Sequence, residues 1–572
     1  MAGAEESPIS NLQSLISVRV LVIGIDGATF RLMRPLMQQG YMPFLCRVEQ
    51  EGALGTLTTI YPPVTAPAWS SFMTGKNPGK HGVYEFLHRK RGTFEQIPVN
   101  AGMLGSQTLW EMMSKAGKRM VIVSVPLCYP PFAVNGTLMS DFLAPMGARD
   151  LSYPPELLQE VEDKFGEYLL YHKQVYTPDN VGNVLTELEE HTAYRQRVAE
   201  YLLQRDAWDF AMVYFEGTDR LQHELWHVID PTSPMHNKQE AAQYAERTRA
   251  YFRVLDDDVR KLAELALAQD PDTTIILMSD HGFGAIHKFV NFNIWLLKEG
   301  FLQLKQDVPT QLKNALFNLG FTPSLGYKLS MNFGFANLRL SQGMTNRNQI
   351  LDWVRRGFLS FRNVDWARTR AFSSGNYGQI FVNLQGREQF GSVAPSAYQN
   401  VCDEITARLY ALQDPQTAQN IVTQVHKQSE KFWGEFIDDA PDIVFSLAEN
   451  YKALGTLEFA SNKIIEPAFG NSGDHRMDGF VGMLGKQIKH GAPIENANIM
   501  DVAPTILYLM GLPIPSDLDG QVLTKPLSDE LLMSSHIQHG DALGARDQML
   551  PDYSEEESEE VKERLRALGY LG

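Results

Sequence analysis

Arg19-Val20-Leu21-Val22-Ile23-Gly24-Ile25-Asp26-Gly27 is the stretch on which the fold turns. Its apolar, β-branched run lacks the polar alternation of a half-exposed strand, so it reads as a parallel strand covered on both faces. It ends in Asp-Gly, which sets a carboxylate at the strand's C-terminal end. Taken alone that dipeptide is an ordinary turn. Working outward, Arg119 to Val125, Asp209 to Tyr214 and Thr273 to Ser279 read as further buried strands. Helical patterns lie between them, over Phe30 to Glu51, Pro154 to Arg205 and Gln239 to Ala268. Strands alternating with helices predict right-handed crossovers, hence an α/β fold with a mostly parallel central sheet and helices on both faces. Ligands of such sheets gather beyond the carboxyl ends of the strands. Asp26 and Asp280-His281 are both predicted there.

Bulk properties narrow the function classes. The 572 residues are many for one core, while 44% hydrophobic and 10% aromatic content is ordinary for a globular protein. A net charge of −17 argues against nucleic acid or an anionic membrane as the main partner. The three cysteines, Cys46, Cys128 and Cys402, are far apart and odd in number, which fits a reducing compartment. Met1 to Ser17 lacks a basic, apolar leader pattern, and no run of 18 apolar residues occurs, so a soluble cytoplasmic protein without a membrane span is expected. The organisation reads as a core over 18–288, an inserted cap or sub-domain over 289–447, a second part of the core over 448–525, and an acidic tail with a docking helix over 526–572. Oligomeric state is not legible.

Ile60 to Gly75 (IYPPVTAPAWSSFMTG) reads as a helix with a sharp start. Thr65 is predicted at the N-cap, Pro67 in the first turn and Gly75 at the C-terminal stop. A hydroxyl there would face free N–H groups, an environment suited to an oxyanion or a phosphate. Asp219 and His223 are four apart and so share a helix face, with Thr218 a plausible cap. Asp280-His281 follows a strand in a sharp turn, and His475 is predicted in the glycine-bearing loop Gly470 to His475. Three acids and three histidines beside a threonine suit zinc or manganese. Two divalent ions would be balanced by three carboxylates and one alkoxide, the arrangement that clamps both oxygens of an in-line displacement at phosphorus.

The ordered set Asp26, Thr65, Asp219-x3-His223, Asp280-His281-Gly282 and Gly473-Asp474-His475 resembles the alkaline phosphatase superfamily, and within it the type I phosphodiesterase/nucleotide pyrophosphatase family. The resemblance spans roughly residues 18 to 515. It implies an alkaline-phosphatase-like core and a two-metal, usually zinc, centre. Asp219, His223 and His475 would hold one ion. Asp26, Asp280 and His281 would hold the other, which also binds the Thr65 oxygen. Thr65 would be the catalytic nucleophile, forming a covalent phospho-threonine that water resolves, on a small phosphorylated substrate. The nucleotide-cleaving members follow the nucleophile with Phe-Pro-Asn-His and carry a phosphate-binding Asn some twenty residues on. Here those places hold Ala66-Pro67-Ala68-Trp69 and Glu85-Phe86. The sulfatase motif, which needs Cys or Ser and an Arg, is absent. The expected activity is phosphodiester hydrolysis, with a phosphomonoesterase or phosphomutase of the superfamily as the alternative.

A decoy is His223-Glu224-Leu225-Trp226-His227, an H-E-x-x-H that in a zinc peptidase would hold the metal and its base. It overlaps the Asp219/His223 pair and no usual third ligand follows it. His227 and His287 read as structural or surface residues, and Arg476 as a solvated neighbour of His475. A non-catalytic phosphate-binding relative would not need all six ligand types and Thr65.

Overall fold

The computed structural model describes residues 18–90, 93–174, 176–323, 325, 357–455, 459–546, 550 and 552–567. The N-terminal seventeen residues, part of the expected 289–447 insertion (324 and 326–356) and part of the expected 526–572 tail lie outside them. Nine strands form the central sheet: β1 (Val20–Ile25), β2 (Ala53–Thr58), β3 (Met120–Val123), β4 (Gly136–Met139), β5 (Ser152–Tyr153), β6 (Phe210–Phe215), β7 (Thr274–Met278), β8 (Asp478–Leu484) and β9 (Ala492–Asn498). Their spatial order is β9-β2-β8-β7-β1-β6-β3-β4-β5. The run β7-β1-β6-β3-β4 is parallel throughout. β8 runs against β2 and β7, and β5 against β4.

The unbroken apolar run of β1 has its reason in this sheet. Val20 and Val22 enter one hydrophobic cluster, while Leu21, Ile23 and Ile25 enter another on the opposite face. Successive side chains leave a strand on opposite faces, so a strand covered twice must be apolar at every position. The first cluster takes in the helix α1 (Thr65–Thr74) and the helix Val502–Leu509; the second takes in Val181–Arg205 and Lys238–Gln269. Val561 and Leu565 of the tail helix Glu555–Ala567 are buried in the first cluster.

After β7 the chain leaves the sheet through the strand Gly282–Asn291, which pairs with Asn450–Leu454, Ile465–Pro467 and Gly473–Arg476. A smaller antiparallel sheet follows, ordered Ala371–Ser373, Gln379–Val382, Ile443–Leu447, Val422–Lys427, with its own apolar cluster around Trp295, Ile380, Leu409 and Phe445. Among the described residues no helix is long and apolar enough to cross a membrane.

Three local readings are corrected. Thr65 is the first residue of α1 rather than its cap: Val64 is the extended N-cap residue, and no side-chain bond closes that end. Thr218 does not cap its helix, α2 (Gly217–Ile229), which Glu216 precedes; the Thr218 hydroxyl donates to the Asp26 carbonyl at 2.6 Å. His475 sits in a strand, Gly473–Arg476, because its backbone pairs with Phe283.

Gly24 is set by close approach. A Cβ there would lie 2.6 Å from the Trp69 ring of α1, which is fully buried and cannot yield. Gly24→Ala should cost about 1–3 kcal/mol through overpacking. Urea unfolding would measure this, and pairing it with Trp69→Phe should return part of the loss. Equal stability of Gly24→Ala and wild type would refute the tight packing of α1 on β1.

Candidate active site

Two acids of the centre, Asp26 and Asp280, sit where strands stop. Asp26 follows β1, and its amide donates to Phe215 O of β6 at 3.0 Å, so two parallel neighbours fix the carboxylate's origin. Gly27 then turns the chain with φ +63°, a conformation that disfavours a side chain. Its amide donates to Asp280 Oδ1 at 3.1 Å, which ties the ends of β1 and β7 together. Asp26 Oδ2 accepts from the Tyr214 hydroxyl of β6, and the Tyr214 ring meets Trp69 edge-on, 5.5 Å between centroids. Asp219 and His223 come from α2, one turn apart as their spacing requires.

The three histidines share one device. His281 Nδ1 lies 3.1 Å from Gly282 O, His223 Nδ1 3.0 Å from Gly473 O, and His475 Nδ1 2.9 Å from Pro63 O. A carbonyl only accepts, so each Nδ1 carries the proton and each Nε2 turns a lone pair inward. His281 Nε2 stands 3.4 Å from Asp26 Oδ1, 3.3 Å from Asp280 Oδ2 and 3.3 Å from the Thr65 hydroxyl. His475 Nε2 stands 3.1 Å from Asp219 Oδ1, and His223 Nε2 stands 3.6 Å from Asp219 Oδ2. His223 Nε2 and His475 Nε2 are 3.0 Å apart. Two lone pairs at that distance repel, and a cation between them is what the donor set fits. Asp26 Oδ1 and Asp280 Oδ2 are both buried, and among the described residues no donor meets either at hydrogen-bonding geometry.

Electrostatics points the same way. Burial, then the neighbouring Asp280 and Asp219, pushes the Asp26 carboxyl well above its ordinary range. Burial lifts Asp280 to about 7. Burial lowers His223 and His475 to about 4, so their imidazoles stay neutral, the form that ligates a metal. Acids driven to hold protons and imidazoles driven to shed them are what a buried site shows when positive charge is missing.

The ligand atoms of Asp219, His223 and His475 lie within 4.8 Å of one another, as do those of Asp26, Asp219 and His281. The structure thus brings together all seven residues singled out in the sequence, with Asp219 belonging to both groups. The H-E-x-x-H does not form a joint site. His227 faces Tyr176, Glu240 and Ser472, and Glu224 pairs with Arg220. His172, His191 and Glu216 form a third group of the same residue types. There Arg195 sits 3.3 Å from Glu216, and Arg220 sits 2.8 Å from the neighbouring Glu187, so cationic charge is already present.

Several neighbours had no sequence signal. Lys452 pairs with Asp474 at 2.9 Å, both buried, and against its burial the ammonium holds that carboxyl down to about 2. Tyr377 stacks on His475, and burial lifts Glu85 to about 8. Arg476, taken as solvated, instead donates to His475 O and Ala285 O at 2.8 Å each and braces the strand that carries the ligand.

The family model for type I phosphodiesterase/nucleotide pyrophosphatase matches residues 20–467. Among solved structures, phosphonoacetate hydrolase from Sinorhizobium meliloti 1021 superposes with a TM-score of 0.51 at 13% identity, covering 87% of this chain and 96% of that one. Murine ectonucleotide pyrophosphatase/phosphodiesterase 5 gives a TM-score of 0.48 at 14% identity, covering 89% and 100%. At 13% identity the first likeness is one of fold, the alkaline-phosphatase-like α/β arrangement already described. With more than half its length matched, this chain belongs to the type I phosphodiesterase/nucleotide pyrophosphatase family, and it is a phosphoric ester hydrolase.

Proposed function

We propose that this protein hydrolyses small phosphodiesters through a covalent phospho-threonine on Thr65, with two divalent ions, zinc or manganese, as cofactors. The observation that carries the reading is the Thr65 hydroxyl, 3.3 Å from His281 Nε2 and beside carboxylates and imidazole lone pairs that lack a counter-charge. Asp219, His223 and His475 would hold one ion, and Asp26, Asp280 and His281 the other. Bound there, the ions supply positive charge to the attacking and departing oxygens.

The chain's own residues do the rest. Thr65, deprotonated, attacks phosphorus with Oγ1 from the first position of α1. That first turn has amide N–H groups without helical acceptors, which suits the charge gathering on phosphorus's oxygens. The Pro63 and Gly473 carbonyls keep the imidazoles of His475 and His223 in one tautomer through the cycle. Water then cleaves the phospho-threonine and restores Thr65. Three free cysteines, Cys46, Cys128 and Cys402, support a cytoplasmic setting for this reading.

Thr65→Ala should lower turnover of a chromogenic diester by about 10³-fold or more. It should keep two ions per chain by elemental analysis. A paired chromogenic monoester measures preference: faster, Thr65-dependent monoester cleavage would replace the diesterase reading with a phosphatase one. Metal binding must displace the protons that burial holds on Asp280, near pH 7, and on Asp26. The folded, metal-free protein binds those protons more tightly than the unfolded chain does. Its carboxylates therefore weaken it as pH rises from 3.8 through 7. The rise in melting temperature on adding zinc should accordingly grow from pH 5 to pH 8. A constant or shrinking rise would contradict the ligand assignment.

A further inference from the structure

Both carboxylates beside Thr65 have one oxygen already taken. Asp26 Oδ2 accepts from the Tyr214 hydroxyl, and Asp280 Oδ1 accepts from the Gly27 amide at 3.1 Å. The remaining oxygens, Asp26 Oδ1 and Asp280 Oδ2, stand 3.4 Å and 3.3 Å from His281 Nε2, which is itself 3.3 Å from the Thr65 hydroxyl. The two carboxyls also meet each other. Asp26, Asp280, His281 and Thr65 therefore each turn one donor atom toward the same region. Asp219 comes within 4.8 Å of the Asp26 and His281 ligand atoms as well. Its Oδ1, however, lies 3.1 Å from His475 Nε2 and its Oδ2 3.6 Å from His223 Nε2, so both oxygens are set beside the imidazoles of the other group.

Of the two donors that take those oxygens, the Gly27 amide is main chain and the Tyr214 hydroxyl is a side chain. The sheet fixes where that hydroxyl points. Tyr214 lies opposite Gly24 in the register of β1 and β6, and its ring is fully buried edge-on to Trp69 of α1, at 5.5 Å and 88°. A carboxylate can ligate an ion through one oxygen or through both. One oxygen from each acid, with one imidazole and one threonine oxygen, makes four donors, the number zinc favours. A second oxygen from Asp26 would raise the count toward the six that manganese favours. We propose that Tyr214 is a positioning residue that holds Asp26 to a single ligating oxygen and thereby sets the preference of this site for zinc over manganese. The assignment rests on the two-ion reading above, which leaves the choice between those metals open.

The test reads metal binding rather than turnover. Metal-free protein is titrated with zinc against a chromogenic chelator, and with manganese while the EPR signal of the free ion is followed. Asp26→Asn identifies the binding step of this site, since it should abolish one step and keep the other. Tyr214→Phe retains the ring beside Trp69 and removes only the hydroxyl. At the identified step it should weaken zinc about tenfold and leave manganese unchanged or tighter, so the ratio of the manganese Kd to the zinc Kd falls about tenfold or more. The other step should be unaltered for both metals. Equal weakening of the two metals, no change in either, or a loss at both steps would overturn the proposal and leave Tyr214 as packing for Trp69. Asp26→Asn combined with Tyr214→Phe should bind as Asp26→Asn alone does. A further loss in the double variant would show Tyr214 acting elsewhere than on Asp26, and would also overturn it. A step lost in Asp26→Asn with an indifferent Tyr214→Phe rejects this proposal alone. Both steps intact in Asp26→Asn reject the underlying ligand assignment.

Discussion

Three carboxylates and three imidazole lone pairs converge in a buried space, where the carboxylates repel one another. The nearest ammonium, Lys452, is already committed to Asp474. Everything that builds the centre works against that repulsion. Parallel strand ends bring Asp26 and Asp280 together, joined by one hydrogen bond from Gly27. Main-chain carbonyls of Gly282, Gly473 and Pro63 prevent the imidazoles from turning their protons inward. A site assembled at such electrostatic expense makes sense when mobile positive charge completes it.

Much of this was legible because strand ends in α/β proteins carry ligands and because β1 spells its own burial. Asp26, Asp219, His223, Asp280 and His281 were readable from position alone: each follows a strand or shares a helix face. Thr65 was read one residue out of place. Threonine favours caps in general, but here Val64 takes the extended geometry, and the threonine hydroxyl faces His281 instead of the backbone. His475 was read as a loop residue because strand Gly473–Arg476 is short and glycine-led. Its regularity comes from pairing with residues almost two hundred positions earlier.

What escaped the sequence is what tertiary contact alone creates. Tyr214 is one aromatic in an apolar strand, and only the fold shows its hydroxyl on Asp26. Tyr377 lies in the inserted sub-domain and Lys452 just after it, and no motif links either to the residues they contact. The same limit explains the decoys. His227 and Glu224 have the spacing of a metallopeptidase helix, but Glu240 and Tyr176 meet His227 Nε2 and Arg220 pairs with Glu224 Oε1.

The place of β8 bears on how the molecule is made. This strand, Asp478–Leu484, lies between β2 and β7 and hydrogen-bonds to both, although they are separated from it by some four hundred and two hundred residues. A chain emerging from the ribosome therefore carries two strands with open edges until residues 478–484 are synthesised. Exposed edges of that kind recruit other chains. The long wait for β8 makes the nascent protein a natural client for chaperones, and His475, three residues ahead of that strand, joins the centre only when the sheet closes.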